Sequence, residues 1–107
     1  MNREKIPAPE HLTEKSKALW EQIVDENEID AVAAKILLTL CDAMERRDEA
    51  RKVIAERGIT TLDRFNVLKV NPALAIERDS TLIMHRAFRL LGFDQEPRGE
   101  QQGKLAF

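Results

Sequence analysis

Glycine, proline, cysteine and aromatic residues are all scarce in this 107-residue sequence. The four glycines are scattered, so no glycine-rich loop is available to bind nucleotide phosphates, and ATP hydrolysis is not expected. Cys41 is the only cysteine, which excludes an intramolecular disulfide and fits a reducing compartment. Cys41, His11 and His85 show no metal-ligand spacing. We therefore expect neither a metal nor an organic cofactor.

A strong net charge and long apolar runs are also absent. The formal net charge of -2 gives no overall attraction to nucleic acid, so charge has to be considered locally. No apolar run approaches the roughly 18 residues of a membrane span, and the N-terminal residues lack the hydrophobic stretch of a signal peptide. The sequence predicts a cytoplasmic protein with no membrane contact.

Apolar residues at helical spacing dominate what is present, and they predict a mainly all-α fold of three helices. Thr13 is a predicted N-cap for the first helix, whose apolar stripe contains Leu19, Trp20, Ile23 and Val24. The spacing of three and four residues along this stripe is typical of an amphipathic helix that buries one face.

The second helix is predicted to be long, with Asp30 as its N-cap. The helical pattern holds from Ala31 to Arg57, and Gly58 supplies a stop. At about 1.5 Å per residue this helix is about 40 Å long.

Asn71 and Pro72 predict the start of the third helix, which extends to Leu91 and stops at Gly92. Between helices two and three, β-branched residues flank a polar turn and predict a short β-hairpin or an extended loop. Because an isolated hairpin is marginally stable in water, we expect it to lie against the helices or against a neighbouring subunit.

These elements define one helical domain at residues 12–93. Residues 1–11 contain Pro7 and Pro9 and predict an extended N-terminal arm with no role in the core. Residues 94–107 are mostly polar and predict a mobile C-terminal tail.

The acidic residues predict no catalytic site. Asp42, Glu45, Glu49 and Glu56 lie on the predicted outer face of the second helix, where a solvated face is favoured over paired-carboxylate catalysis. No set of serine, histidine and acid suggests a nucleophile. We therefore do not expect an enzyme.

Arginine interrupts the apolar arc of the second helix. Arg47 falls in the middle of this arc and Arg51 lies beside it. A buried arginine requires an acid partner, access to solvent or an external anion, so a salt bridge and DNA phosphate contact both stay open. The arc contains Ala33, Ile36, Leu37, Leu40, Ala43, Met44, Ala50 and Ile54.

The third helix separates an apolar face from a basic one, at about 100° per residue. Its predicted apolar face contains Ile76, Ile83, Ala87, Leu90 and Leu91. Nearly opposite lie Arg78, His85, Arg86 and Arg89, with Leu82 among them. This strip is typical of a solvated face or of a surface that contacts phosphates. One copy of the chain would make only a few such contacts.

If the chain binds DNA, arginine forks on phosphate oxygens are expected to make the contacts, because there is little aromatic surface for stacking on bases. The candidate DNA-binding residues are Arg46, Arg47, Arg51, Arg78, Arg86 and Arg89.

The order of these features resembles a family of phage terminase small subunits over about residues 7–93. The resemblance is carried by Leu12, Leu19 and Trp20, by the arginine-rich half of the second helix before Gly58, and by the segment "NPAL" that opens the third helix. It implies a non-catalytic DNA-packaging component that assembles into a homo-oligomeric ring in the host cytoplasm. Such a component binds double-stranded viral DNA and presents it to a large subunit that carries the ATPase and nuclease.

Two other classes of protein stay open. A small helical phage or prophage adaptor would use the basic strips to bind acidic protein surfaces without touching DNA. A transcriptional regulator is less favoured, because helix-turn-helix recognition requires two short helices and a basic recognition helix. Here the first helix ends with Asp25, Glu26 and Glu28, and the second begins with few charges.

Overall fold

A computed structural model describes residues 5–93 and contains three α-helices and one two-stranded antiparallel sheet. In chain order the elements are α1 (Glu14–Glu26), α2 (Ala31–Arg57), β1 (Thr60–Leu62), β2 (Leu68–Val70) and α3 (Ala73–Leu91). The predicted mainly α-helical fold, with a hairpin between the second and third helices, is confirmed. The predicted tail at 94–107 lies outside the described residues.

The helix ends follow from capping groups in the sequence. The Thr13 side chain accepts the N–H of Ser16 at 3.3 Å, and the Asp30 side chain accepts the N–H of Ala33 at 2.8 Å. Each bond satisfies a backbone donor that has no partner within its helix. At the other end of α2, Gly58 adopts a φ of 82°, which glycine tolerates without a Cβ clash.

Small side chains line the seam between α2 and α3. Ala43 and Ala50 on α2 and Ala73, Ser80 and Ala87 on α3 are all buried, and within each helix they recur every seven residues. A seven-residue spacing is about two turns, so each set forms one stripe along its helix. Small residues let the two antiparallel helices approach closely, and α2 and α3 form the most extensive helix contact in the described chain.

The predicted core face of α3 was wrong in part. Ala87 is buried, but Ile76 is 48% exposed and Leu90 is 71% exposed, whereas Met84, which was not assigned to the core, is 3% exposed. The buried face is rotated by roughly 45° from the predicted one, given about 100° per residue. The rotation places the small residues of α3 in the seam and moves Ile76 and Leu90 toward solvent, while Ile83 and Leu91 stay partly buried against the core.

The helix α1 packs on another side of α2 through the predicted stripe. Leu19, Trp20, Ile23 and Val24 are all at most 5% exposed and join the core with residues of α2. This prediction is confirmed.

The N-terminal segment also belongs to this core. Ile6 and Ala8 pack against it, and the Ile6 carbonyl accepts a 2.9 Å hydrogen bond from the indole N–H of Trp20. The prediction that the arm has no core role was therefore wrong, because the buried indole N–H needs an acceptor and the extended segment supplies one.

Acidic residues of α2 hold the beginning of α1. Asp42 lies 3.2 Å from the His11 ring, Glu45 accepts the backbone N–H of Thr13 at 2.7 Å, and Asp48 pairs with Lys15 at 2.9 Å. We call Asp42, Glu45 and Asp48 the acidic ladder. The prediction that Asp42 and Glu45 lie on a solvated outer face was thus wrong.

Asn71 joins the C-terminal end of α2 to the start of α3. Its side-chain amide donates to the Gly58 carbonyl at 2.8 Å, and its side-chain oxygen accepts the N–H of Ala73 at 3.0 Å. Its backbone N–H donates to the Ile59 carbonyl at 2.8 Å, which closes the base of the hairpin. Asn71 is only 3% exposed, so these bonds are made away from water. The Asn71 side chain thus bonds to the start of α3 as predicted, although the helix begins at Ala73, one residue later than expected, with Pro72 at the cap position.

We predict that Asn71→Ala lowers the free energy of unfolding by about 2–3 kcal/mol, because it removes a helix cap and leaves the Gly58 carbonyl without its amide donor. Urea denaturation followed by circular dichroism measures the loss. The control is Asn27→Ala, which removes one part-buried bond to the Ile23 carbonyl and should cost about 1 kcal/mol. If Asn71→Ala lost no more stability than Asn27→Ala, the role assigned to Asn71 at the junction of α2 and α3 would be contradicted.

The acidic ladder predicts a pH dependence of stability. Burial alone would raise the pKa of Glu45 and Asp48, but hydrogen bonds from Thr13 to Glu45, and from Lys15 and Arg47 to Asp48, outweigh it and lower both pKa values. A pKa lowered in the folded state stabilises the fold above the usual values of 4.5 and 3.8. This stabilisation is lost as the pH falls through the folded-state values.

Unfolding free energies measured at neutral pH and below about pH 4 test this expectation. In the double variant Glu45→Gln, Asp48→Asn, the free energy of unfolding should fall less at low pH than it does in the parent. The control double variant Glu49→Gln, Glu56→Gln changes two exposed side chains of the same helix and should keep the parental decrease. Identical pH profiles for the two double variants would argue against the ladder.

Candidate nucleic-acid interface

A basic strip covers the outward face of α3. It consists of Arg78, His85, Arg86 and Arg89, all exposed, with Leu82 between them at 51% exposure. These residues fall within about 100° of arc and lie away from the seam with α2. The predicted exposure of this strip is confirmed, and a role for it in binding stays a prediction.

Arg78 and Arg86 are held only loosely within the described chain. Arg78 pairs with Asp79 at 3.1 Å, but both side chains are more than 60% exposed, so solvent screens the pair. Arg86 makes no ion pair with any residue in the range 5–93. An incoming phosphate would therefore displace little from Arg78 or Arg86.

The arginines of α2 do not share one surface with the strip. The guanidinium of Arg47 is buried and donates to the Asp48 carboxylate from Nε at 3.3 Å and from Nη2 at 3.0 Å. Of the three possibilities considered for Arg47, the acid partner is the one found. Arg51 pairs with Glu77 of α3 at 3.0 Å.

Arg46 is exposed and follows Thr39 by seven residues, so both lie on the same side of α2. This side of α2 faces the part of the basic strip that contains Arg86, because Thr39 and Arg86 line one groove. Arg51 points roughly 120° away from Thr39 around the helix. The candidate residues thus separate into the strip with Arg46 nearby, and Arg47 and Arg51 elsewhere.

A shallow apolar groove runs beside the strip, between α2 and α3, with a volume of about 250 Å³. This groove was not expected from the sequence, because Ile83 and Leu90 were assigned to the core. The sequence does contain a pattern that indicates this groove wall, because Ile83, Arg86 and Leu90 are three and four residues apart and therefore lie on one side of the helix. The groove is lined by Ile36, Thr39, Ile83, Arg86, Ala87 and Leu90.

The hairpin leaves its large apolar side chains in solvent. It was expected to lie against the helices or a neighbouring subunit, and within the described chain the helices do not cover it. The exposed fractions lie between 51% and 70%. The residues are Ile59, Leu62, Phe65, Val67, Leu68 and Val70.

No reactive centre is formed by the residues that the structure describes. Burial is the main cause that raises the pKa of the Cys41 thiol to about 12, and the carboxylates of Asp42 and Glu45 add to it. The thiol therefore stays protonated and is a poor nucleophile. Between residues 5 and 93 no cluster of metal-binding side chains occurs, and no helix there is both long and apolar enough to cross a bilayer.

Comparison with known proteins assigns the family. The model of the family described as "Phage terminase, small subunit" matches residues 16–106, which is most of the chain. The chain therefore belongs to the phage terminase small-subunit family. Members of this family act in phage DNA packaging and are generally non-catalytic. No curated protein and no solved structure matches the chain.

Proposed function

We propose that this chain binds double-stranded viral DNA, assembles in several copies and presents the DNA to a large terminase subunit that carries the ATPase and nuclease. The observation that carries the proposal is the exposed basic strip of α3, in a member of a DNA-packaging family. The domain at residues 12–93 would be the part that binds and assembles.

Phosphates are the proposed points of contact. An arginine guanidinium matches two phosphate oxygens and keeps its charge at any physiological pH. The strip offers Arg78, Arg86 and Arg89, and Arg46 can extend it across the groove. Arg47 and Arg51 stay outside the proposed contact, because Asp48 and Glu77 already bind them.

Self-assembly would make this strip sufficient for stable DNA binding. Three or four phosphate contacts per chain bind DNA weakly at physiological salt. A ring would present the strip once per subunit, and simultaneous contacts raise the overall affinity without any new interaction. The binding would follow the DNA backbone and depend steeply on salt rather than on base sequence.

We predict that replacing Arg86 and Arg89 together with alanine weakens binding to duplexes of unrelated sequence. Each lost phosphate contact should reduce the slope of log affinity against log salt concentration by about 0.9. Fluorescence anisotropy at several salt concentrations measures both effects. Native mass spectrometry should show an unchanged assembly, because both side chains are exposed on the outward face of α3.

The matched control is Lys5→Ala with Lys17→Ala, which removes the same charge from a different part of the protein. Lys5 is in an exposed pair with Asp25, so its loss should cost little stability. The control should bind DNA nearly as the parent does. Equal weakening by both double variants would indicate a non-specific charge effect and count against the strip.

A second candidate function is a protein adaptor that does not bind DNA. The apolar groove beside Arg86 favours it, since apolar walls with one cation at the rim suit an acidic amphipathic segment of another protein. The Arg86 and Arg89 double variant separates the two functions. Unchanged DNA binding together with a changed assembly would make the strip a protein interface.

A further inference from the structure

His85 lies in line with two arginines of the basic strip. It follows Arg78 by seven residues and precedes Arg89 by four, so the three side chains point within about 40° of one another. Along the helix axis His85 is about 10 Å from Arg78 and about 6 Å from Arg89, at about 1.5 Å per residue. All three side chains are exposed. A DNA backbone that runs along α3 from one arginine to the other therefore passes the imidazole.

No acidic group of the described chain pairs with His85. Between residues 5 and 93 this side chain takes part in no ion pair. Of the two acids in α3, Asp79 pairs with Arg78, and Glu77 pairs with an arginine of α2. The charged groups on the same side of α3 are Arg78 and Arg89, because α2 packs on the opposite side and α1 packs on another side of α2. A protonated His85 thus lies among cations and has no acid of its own within the described chain.

DNA would supply the anion that a protonated His85 lacks. Like charges four residues apart on a helix repel each other, and His85 and Arg89 have this spacing. A nearby phosphate favours the charged form of an imidazole, which then donates from both ring nitrogens. Proton binding and DNA binding at this side chain should therefore support each other, by the same factor in each direction.

Few other side chains of this protein are of a type that changes charge between about pH 5.5 and 8. Histidine ordinarily does so, and the sequence contains only two, His11 and His85. Burial is the main cause that raises the pKa of the only cysteine to about 12, so its thiol stays protonated. Hydrogen bonds outweigh burial and lower the pKa values of Glu45 and Asp48, so both carboxylates stay ionised throughout this range. A change in DNA affinity over this range can therefore be traced to one histidine or the other.

We propose that His85 is a proton-dependent contact to the phosphates of duplex DNA, placed between Arg78 and Arg89. The protonated side chain adds one cation to the strip of each subunit, and the neutral one adds none. This contribution is present at low pH and is lost as the pH rises, so the chain binds DNA more tightly at about pH 5.5 than at about pH 8. The inference rests on the proposed function, and it adds a residue and a pH dependence that arginine alone does not give.

Fluorescence anisotropy with one labelled duplex, at both of these pH values and at several salt concentrations, tests the proposal. The parent should bind about fivefold or more tightly at the lower pH, and its slope of log affinity against log salt should be steeper there by up to about 0.9 for each subunit in contact with DNA. His85→Gln should show one affinity and one slope at both pH values. His85→Arg should bind at the higher pH as the parent binds at the lower, because its charge does not depend on pH.

The matched control is His11→Gln, which removes the only other histidine. His11 lies 3.2 Å from Asp42 of α2, at the beginning of α1 and away from the strip. This variant should keep the parental pH dependence. Because all variants are compared at the same pH values, an effect of pH on assembly is common to them.

Isothermal titration calorimetry in two buffers of different ionisation enthalpy measures the proton linkage directly. The parent and His11→Gln should take up protons when they bind the duplex, and His85→Gln should not.

Three results would overturn the inference. A parent whose DNA affinity does not change with pH, or a His85→Gln variant that keeps the parental change, would remove His85 from the contact and leave the proposed function intact. Loss of the pH dependence in His11→Gln alone would assign it to the contact between His11 and Asp42. A parent that binds no duplex at either pH, even at low salt, would refute the proposed function as well.

Discussion

One buried residue, Asn71, joins the two longest helices. Its side chain accepts the N–H of Ala73 in α3 and donates to the Gly58 carbonyl, and its backbone N–H donates to the Ile59 carbonyl, so the end of α2, the base of the hairpin and the start of α3 are held at one point. The antiparallel seam, the outward position of the basic strip and the exposure of the hairpin all depend on this junction.

The composition of the seam explains why α3 has so much exposed chemistry. Small residues, Ala73, Ser80 and Ala87, occupy most of its buried stripe, and Met84 is the one large side chain buried among them. Ile76 and Leu90 therefore flank the seam, beside the arginines. A helix packed in this way buries one narrow stripe and presents the rest to partners. This suits a subunit whose proposed role is to bind DNA and copies of itself rather than to catalyse a reaction.

Local chemistry made the helix ends predictable, and tertiary packing made the rest harder. The capping by Thr13 and Asp30 depends only on neighbouring residues, and both were found as expected. The rotation of α3 depends on what α2 presents, and reasoning from bulk hydrophobicity favoured the wrong stripe. The partner of Arg47 was also unpredictable from helix faces, because Asp48 is its immediate neighbour and adjacent residues point about 100° apart. The exposed arginines of α3 needed only helical periodicity, so this part of the candidate site could be predicted.

The most direct test of the central claim is chemical modification of arginine in the assembled protein, with and without duplex DNA, quantified residue by residue by mass spectrometry. The account predicts that DNA reduces the modification of Arg78, Arg86 and Arg89, and leaves that of Arg51, paired with Glu77 on another side of α2, unchanged. Unchanged modification of the three α3 arginines under conditions where DNA is bound would contradict it.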